Sequence, residues 1–391
     1  MAPPSPDPYR ALQQHLDTMP VRFPKTRSGV EIEILKHLFD ADEARLALHL
    51  DHVPRSAAEI IDRMKATGAV EGVQPTAAEL DERLARLASK GGLFAARRGG
   101  VVKYSLHPFV AGMFEIACAS RMAEGKLTRE FLDTCSAYTH KLFGIEMLSI
   151  DKRAFRTIPI EVSLTPEHGV ATYDQIERII GESTACGVLN CICKVDKEMH
   201  GHPCNRTNRR DTCMAFNDYA EFGIEHGLVT KKTKEEMLEI ARLSQKEGLV
   251  LQPENTARPN FICACCGDCC GFLELLKAVP RPVDFASSNF HAAVNADACK
   301  GCGTCVKRCH MAAIVVKNKK ARVNLARCIG CGVCVPTCKP GAISLVKKAT
   351  EIKPAEDFPA YLAHLDEHRL NNIQKLGKLL KAFLRIPQHD D

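Results

Sequence analysis

The chain has 391 residues, of which 45% are apolar and 26% charged, with 20 cysteines and a formal net charge of +6. This composition excludes a mostly disordered chain, and the length predicts two or three domains. The sequence does not open on a basic segment followed by an apolar one, and no apolar run is as long as a membrane span. We therefore expect a cytoplasmic protein without a transmembrane segment, in which disulfides are rare.

Residues 1–110 contain no cysteine and predict helices followed by a two-stranded ribbon. Thr76 and Glu79 have the spacing of a capping box, which favours a helix over 76–92. Residues 93–106 alternate in polarity around a Gly-Gly pair, as a β-hairpin does. This order resembles a winged helix-turn-helix, in which the capped helix would take the place of the recognition helix.

The charge of residues 1–110 does not favour binding to nucleic acid. Fifteen Lys and Arg stand against fourteen Asp and Glu. Most of the affinity for nucleic acid comes from neutralising phosphates, which requires a basic face. The predicted hairpin offers only a small basic face, formed by Arg97, Arg98 and Lys103. We therefore favour protein docking or a structural role for this domain over DNA binding.

A helical connector, residues 111–156, leads into a cysteine-rich module over 157–285. We expect Cys118 and Cys135 in the connector to be core residues. Nine cysteines of the module lie in two groups that match no standard ferredoxin spacing. The first group is Cys191, Cys193, Cys204 and Cys213, and the second is Cys263, Cys265, Cys266, Cys269 and Cys270. A buried thiol behaves as a small hydrophobe, so clustering with Gly and Asp indicates metal sites rather than core filling.

Two cysteine runs, "CKGCGTCVKRC" at 299–309 and "CIGCGVCVPTC" at 328–338, repeat after 29 residues. Zinc would need two close pairs separated by a loop, whereas here a third cysteine follows each pair at the same interval. Three thiolates in one tight loop reach three irons of a four-iron cubane, and the fourth ligand comes from elsewhere.

Residues 295–347 resemble the bacterial two-cluster ferredoxin domain, which we place over 286–350. By this resemblance Cys299, Cys302, Cys305 and Cys338 hold one [4Fe–4S] cluster, and Cys328, Cys331, Cys334 and Cys309 hold the other. The sequence departs from the pattern in lacking proline directly after the fourth cysteine of each run, where His310 and Lys339 stand. This change predicts altered solvent access, and hence potential, without loss of a ligand.

Because the same chain carries these two clusters, we favour one or two further iron–sulfur clusters in the module, with zinc as the alternative. By chain order, the first cysteine group forms one complete ligand set and the second more than completes another. Successive residues of a strand point to opposite faces, so Cys265 and Cys266 are not expected to ligate the same iron.

The ferredoxin-like segment is strongly basic, and the chain ends in an amphipathic pattern. Residues 290–348 contain eleven Lys and Arg and one acid, Asp297. This charge predicts an acidic redox partner, such as a flavoprotein or an oxidoreductase subunit. Residues 351–391 are expected to form one amphipathic helix, with apolar residues at helical intervals over 361–384. It would pack on its own chain or on a partner subunit, and a homo-oligomer is one possibility.

Together these features predict an α+β multidomain protein: an N-terminal winged helix, a central cysteine-rich α+β module, a ferredoxin-like dicluster domain and a terminal helix. The combination resembles multi-cluster redox proteins of anaerobic bacteria. No catalytic site or nucleotide-binding glycine motif is found. We expect an iron–sulfur electron carrier, or a subunit of an oxidoreductase. The alternative is an iron–sulfur redox-sensing transcriptional regulator, but a sensor needs only one labile cluster.

Overall fold

A computed structural model describes residues 7–66, 75–150 and 152–384. The chain divides into two compact units. The first comprises residues up to 147 together with 221–228 and 365–367, and the second comprises the rest. Within the described ranges, helices and strands are mixed, as predicted, and no helix is both long and apolar enough to cross a bilayer.

The first unit consists of helices and one hairpin. Its helices are α1 (Pro8–Leu16), α2 (Val30–Leu38), α3 (Ala41–Ala47), α4 (Ala57–Ala66), α5 (Ala77–Ser89), α6 (Phe114–Ala123), α7 (Arg129–Tyr138) and α8 (Gly144–Ser149), the last of which continues into the second unit. Its strands are β1 (Phe94–Arg98) and β2 (Val101–Ser105), which pair antiparallel.

The local signals read from the first 110 residues place these elements correctly. Helix α5 begins at Thr76, whose side chain accepts a hydrogen bond from the Glu79 N–H while the Glu79 side chain returns to the Thr76 N–H. Arg55 forms an isolated antiparallel bridge to Tyr104 of β2. Helices α4 and α5 lie in the chain between Arg55 and the hairpin. The helices and the hairpin are confirmed, and the winged-helix fold stays a prediction.

The predicted helical connector contains α6, α7 and α8. Cys118 on α6 and Cys135 on α7 are completely buried, so the prediction that they are core residues is confirmed. All twenty cysteines of the chain lie in the described ranges and are free thiols.

The remaining elements belong mostly to the second unit. The helices are α9 (Ile176–Glu182), α10 (Ile192–Met199), α11 (Asn217–Glu225), α12 (Lys234–Glu247), α13 (Gly271–Ala278), α14 (Thr304–Arg308), α15 (Phe358–Glu367) and α16 (Asn372–Phe383). The strands are β3 (Cys186–Leu189), β4 (Cys213–Phe216), β5 (Thr230–Lys231), β6 (Val250–Pro253), β7 (Phe261–Cys265), β8 (Phe290–Val294), β9 (Ile314–Lys317), β10 (Lys320–Val323) and β11 (Ile343–Lys347).

An antiparallel five-stranded sheet forms the centre of the second unit, in the order β5-β3-β4-β7-β6. Its register places Cys213 of β4 opposite Cys263 of β7, and Cys263 opposite Gln252 of β6. Strands far apart in the sequence are therefore neighbours here, and cysteines of the two sequence groups meet across β4 and β7.

The ferredoxin-like segment consists of two antiparallel pairs, β8 with β11 and β9 with β10. Its buried side chains belong to the same hydrophobic core as those of the five-stranded sheet. Apart from 221–228, residues 157–285 therefore lie in one compact unit with residues 286–350, although the sequence separates them into two segments.

The C-terminal region is two helices rather than the single one expected over 361–384. Helix α15 ends at Glu367, and Asn371 starts α16, because its Oδ1 accepts the Gln374 N–H at 2.9 Å while Gln374 Oε1 accepts the Asn371 N–H at 2.9 Å. Ile373 of α16 is 82% exposed. The single-helix prediction is wrong, and residues 385–391 of that segment lie outside the described ranges.

Candidate metal centres

The first cysteine set of the ferredoxin-like segment surrounds one small cavity. Cys299, Cys302, Cys305 and Cys338 line it. Ala342 and Ile343, which follow the second cysteine run, contribute part of its apolar wall. Three of the four cysteines come from one run and the fourth from the other, which is the division that the ferredoxin resemblance implies.

The second set surrounds another small cavity. Cys309, Cys328, Cys331 and Cys334 line it, with Ala313 and Ile314 in the apolar wall. The structure thus brings together each of the two predicted ligand sets, including the exchanged fourth cysteine. Both cavities have the sulfur-rich, apolar lining that suits an iron–sulfur cluster.

Two glycines are required where the cysteine loops pass close to other backbone. Gly301 has φ +68°, and a Cβ on it would collide with the carbonyl of Lys319. Gly330 has φ +69°, and a Cβ there would collide with the carbonyl of Phe290. Since L-residues rarely adopt such φ values, both loops need glycine for their turn and for the close approach.

Backbone N–H groups donate to the sulfurs in a pattern that repeats between the two cavities. The Ala321 N–H reaches Cys299 Sγ and the Ala292 N–H reaches Cys328 Sγ, each at 3.3 Å. The fourth cysteines, Cys309 and Cys338, likewise each accept a backbone N–H at 3.3 Å. Such bonds stabilise thiolates and influence the potential of a cluster bound to them.

Solvent reaches the two cavities unequally. Cys302 is exposed, and hydrogen bonds from the hydroxyl and N–H of Thr304 lower the pKa of its thiol. Burial raises the pKa of Cys331, at the corresponding position of the second run, well above its ordinary value. Cys302 is exposed whereas Cys331 is only partly exposed, so the first cavity is the more open to solvent at this corner.

Comparison with known protein families agrees with this geometry. Residues 291–339 match the family model of the 4Fe-4S dicluster domain. This segment is therefore an iron–sulfur domain, and we call it the dicluster domain. The match covers 49 of the 391 residues. No curated protein and no solved structure matches the chain.

Six cysteines of the central module form a connected set, which we call the six-thiol group. Its members are Cys191, Cys193, Cys213, Cys263, Cys265 and Cys270. Neighbouring thiols of the group interact electrostatically in a chain that runs from Cys191 to Cys193, then through Cys270, Cys265 and Cys263 to Cys213. The pairing of β4 with β7 explains the last contact, because Cys213 and Cys263 are directly opposite.

Two helices begin at the six-thiol group. Cys191 is the N-cap of α10, and Cys270 is the N-cap of α13. Both helix N-termini carry partial positive charge, which favours thiolates and an anionic metal centre at this position.

The thiols of this group cannot all ionise by themselves. Hydrogen bonds from the Cys263 and Cys270 thiols lower the pKa of Cys265. A hydrogen bond with the Cys213 thiol, together with burial, raises the pKa of Cys263 well above its ordinary value. A bound cation would replace the shared protons, since thiolate is the metal-binding form of cysteine.

A second, smaller set shares no member with the six-thiol group, and we call it the Cys–Asp group. Cys204, Cys266, Cys269 and Asp268 each offer a ligand atom, and these four atoms all lie within 4.8 Å of one another. Cys204 Sγ and Cys266 Sγ are 3.4 Å apart. Sequence reasoning missed Asp268, although its place between Cys266 and Cys269 was a visible signal.

The structure therefore divides the central cysteines differently from their order in the chain. Cys204, from the first sequence group, lies beside Cys266 and Cys269 of the second. The other three cysteines of the second group, Cys263, Cys265 and Cys270, lie with the rest of the first group. Cys265 ends β7 and Cys266 follows it, and the two lie in different sets, as the alternation of a strand predicts.

A buried histidine connects the dicluster domain to the turn between these two sets. His310 Nδ1 accepts the Gly267 N–H at 3.0 Å, and His310 Nε2 donates to the Gly248 carbonyl at 2.7 Å. His310 directly follows Cys309, and Gly267 directly follows Cys266. Proline, the usual residue at this position, has no side chain that could make these bonds. The departure from the ferredoxin pattern thus has a structural role.

Two arginines of the dicluster domain bind the carbonyl ends of central helices. Arg308 donates to the carbonyls of Glu247 at 2.9 Å and Lys246 at 2.7 Å, at the end of α12. Arg327 donates to the carbonyls of Val279 at 3.2 Å and Lys277 at 3.1 Å, at the end of α13. Cations favour this end of a helix, so these charges stabilise the fold rather than form a docking surface.

Proposed function

We propose that the protein is an iron–sulfur electron carrier that relays electrons between its central module and a partner protein. The observation that carries this proposal is the pair of cysteine-lined cavities, joined through His310 to a second cysteine-rich region. Cys299, Cys302, Cys305 and Cys338 would hold one [4Fe–4S] cluster, and Cys309, Cys328, Cys331 and Cys334 the other. The bound clusters supply one-electron chemistry at low potential.

The six-thiol group would hold a third iron–sulfur centre. Six thiols exceed the four ligands that a tetrahedral zinc ion takes, and no oxygen or nitrogen ligand is needed to complete a four-iron set. The N-termini of α10 and α13 favour the negative charge of such a centre. Zinc is the rival occupant, and iron analysis distinguishes the two.

The connection between the two regions supports a relay. His310 joins the loop of Cys309 to the turn of Cys266 through one hydrogen bond. On the other side, the Ile160 N–H donates to the Cys331 carbonyl at 3.1 Å, which fixes the second cysteine loop against the same unit. The second cavity, whose cysteines are buried or only partly exposed, would receive electrons from the centre, and the first, with exposed Cys302, would pass them to the partner.

A basic hairpin beside the first cavity suits an acidic partner, such as a flavoprotein or an oxidoreductase subunit. Lys320 of β10 donates to the Cys299 carbonyl at 3.0 Å, which places the β9–β10 hairpin against this cavity. Lys317, Lys319 and Arg322 of the hairpin are exposed. Their charge would draw an acidic surface towards the most solvent-accessible cysteine, Cys302.

Electron transfer from the reduced protein to an acidic flavodoxin tests this proposal. We expect the second-order rate to fall as salt is raised, and Lys317→Glu with Lys319→Glu to lower it about tenfold at low ionic strength. The matched control is Lys246→Glu with Lys353→Glu, which changes net charge equally at exposed positions outside the hairpin. A rate that changes neither with salt nor with the hairpin charges would contradict the proposed docking surface. Absence of any electron transfer would contradict the proposed function.

The N-terminal unit should not bind random duplex DNA tightly. Lys103 pairs with Glu59 at 3.4 Å and Arg97 pairs with Glu225 at 3.4 Å, so the basic hairpin is largely neutralised. Few counterions would be released on contact with phosphates. We expect no mobility shift at submicromolar protein in moderate salt. A shift that Arg97→Glu with Lys103→Glu abolishes would instead favour the transcriptional regulator.

A further inference from the structure

We propose that Cys204, Cys266, Cys269 and Asp268 bind one zinc ion, at a site distinct from the iron–sulfur centres. This site does not depend on the electron-transfer function, because it involves neither cavity of the dicluster domain and no member of the six-thiol group. It would be a structural site, since zinc has no redox chemistry and four protein ligands close its coordination shell.

The number and type of donors match a single tetrahedral ion. The group offers three sulfurs and one carboxylate oxygen, all within 4.8 Å of one another. Zinc accepts both donor types, and Zn–S bonds of about 2.3 Å place neighbouring sulfurs about 3.8 Å apart in a tetrahedron. A four-iron cubane binds each thiolate at a different corner, which spreads its ligands across the whole cluster.

The hydrogen bonding of Asp268 leaves one oxygen for a ligand. Oδ2 accepts the Asn205 N–H at 2.7 Å, which orients the carboxylate. The other oxygen, Oδ1, is buried without a hydrogen-bond donor in the described part of the chain. A buried acceptor without a partner costs free energy, and a cation at this position would remove that cost. A ligand oriented through its second oxygen is typical of protein metal sites.

The surroundings of the three thiols also suit a metal ion. Cys204, Cys266 and Cys269 are each less than one-tenth exposed, so they share a site from which water is largely excluded. The Arg206 N–H donates to Cys204 Sγ at 3.4 Å, as backbone amides do to metal-bound thiolates. On binding Zn²⁺ the three thiols would lose their protons to solvent, which gives the site a net charge of −2 with the ionised Asp268.

The ion would connect two segments that regular secondary structure does not join. Cys204 lies in the segment after α10, whereas Cys266, Asp268 and Cys269 lie in the turn between β7 and α13. That turn also contains Gly267, whose N–H donates to His310 of the dicluster domain. Zinc would therefore fix the turn through which the central module contacts the loop of Cys309.

Metal analysis and zinc K-edge absorption of the anaerobically purified full chain test the site. We expect one zinc per chain, with three sulfurs at about 2.3 Å and one oxygen at about 2.0 Å. Cys204→Ser and Cys269→Ser should lose the zinc and keep the paramagnetic signals of the two dicluster clusters. Cys186→Ser is the matched control, because Cys186 is buried in the same module and its thiol donates to the Lys232 carbonyl at 3.3 Å.

Asp268→Asn keeps the shape of the side chain, so it tests the site even if the cysteine variants do not fold. Competition with a chromophoric chelator should show a zinc affinity at least about tenfold weaker, since even indirect partners of a metal cost that much. Absence of zinc from the wild-type chain, a shell of four sulfurs, or unchanged zinc affinity in Asp268→Asn would each overturn the proposal.

Discussion

Alanine in place of Cys331 should remove one [4Fe–4S] cluster and leave the other bound, and alanine in place of Cys302 should do the reverse. Each residue lines one cavity and takes the same place in its cysteine run. A cubane that lacks one thiolate is poorly retained, so each variant should lose about four irons per chain. Paramagnetic resonance of the dithionite-reduced protein should show that the two variants lose different signals.

The control for this pair is Cys118→Ala, which removes a completely buried thiol of the first unit, where neither cavity lies. Its iron content should equal that of the wild type. The exposure of Cys302 adds an asymmetry, because oxygen reaches the first cavity more readily. We expect the signal that Cys302→Ala removes to be the first lost in air. Both signals intact in both variants would refute the assignment.

Replacing Cys193 or Cys270 should abolish a third centre while leaving both dicluster signals unchanged. The Cys193 thiol interacts with those of Cys191 and Cys270, so it lies within the chain of six thiols. With three four-iron clusters the wild type should contain about 12 irons per chain, and either alanine variant about 8. Iron analysis and resonance spectra of anaerobically purified protein measure this directly.

Cys186→Ala is the matched control, because this buried cysteine of β3 belongs to neither central set. It should retain all the iron. A wild-type value near 8 irons, accompanied by two zinc ions, would mean that the six-thiol group binds zinc and that the relay ends inside the dicluster domain. The module would then serve the structure rather than the transfer of electrons.

The sequence predicted how the eight dicluster cysteines are grouped, because most of that grouping is local. Three cysteines of each set are three residues apart, and the resemblance to two-cluster ferredoxins assigns the fourth from the other run. The structure places all eight cysteines around the two cavities that this reasoning anticipated. Short-range spacing was enough because the loop itself forms most of the site.

The central sets depended on information that chain order does not contain. Cys213 meets Cys263 only through the register of β4 and β7. Cys204 comes from an irregular segment whose path no periodicity describes, so its contact with Cys266 could not be read from the sequence. Asp268 went unnoticed because a single carboxylate among cysteines resembles an ordinary turn residue. Register and loop paths are set by tertiary packing, which explains why these groupings were missed.

The terminal helix shows a different kind of error. Apolar residues at helical intervals continue through 368–371, so periodicity alone predicted one helix. The pair Asn371 and Gln374 has the spacing of a cap, and it starts a new helix in the structure. A capping signal inside a periodic segment therefore deserved more weight than the apolar pattern around it.

The anchoring of Arg308 and Arg327 has a consequence for how this protein acquires its cofactors. Cut free at its sequence boundaries, the dicluster domain would leave both guanidinium groups without their helix-end carbonyls and would uncover apolar side chains from a shared core. We therefore expect the excised domain not to keep its structure. We also expect the cysteine loops to reach their final shape only with α12 and α13 in place, so that folding of the scaffold precedes cluster insertion.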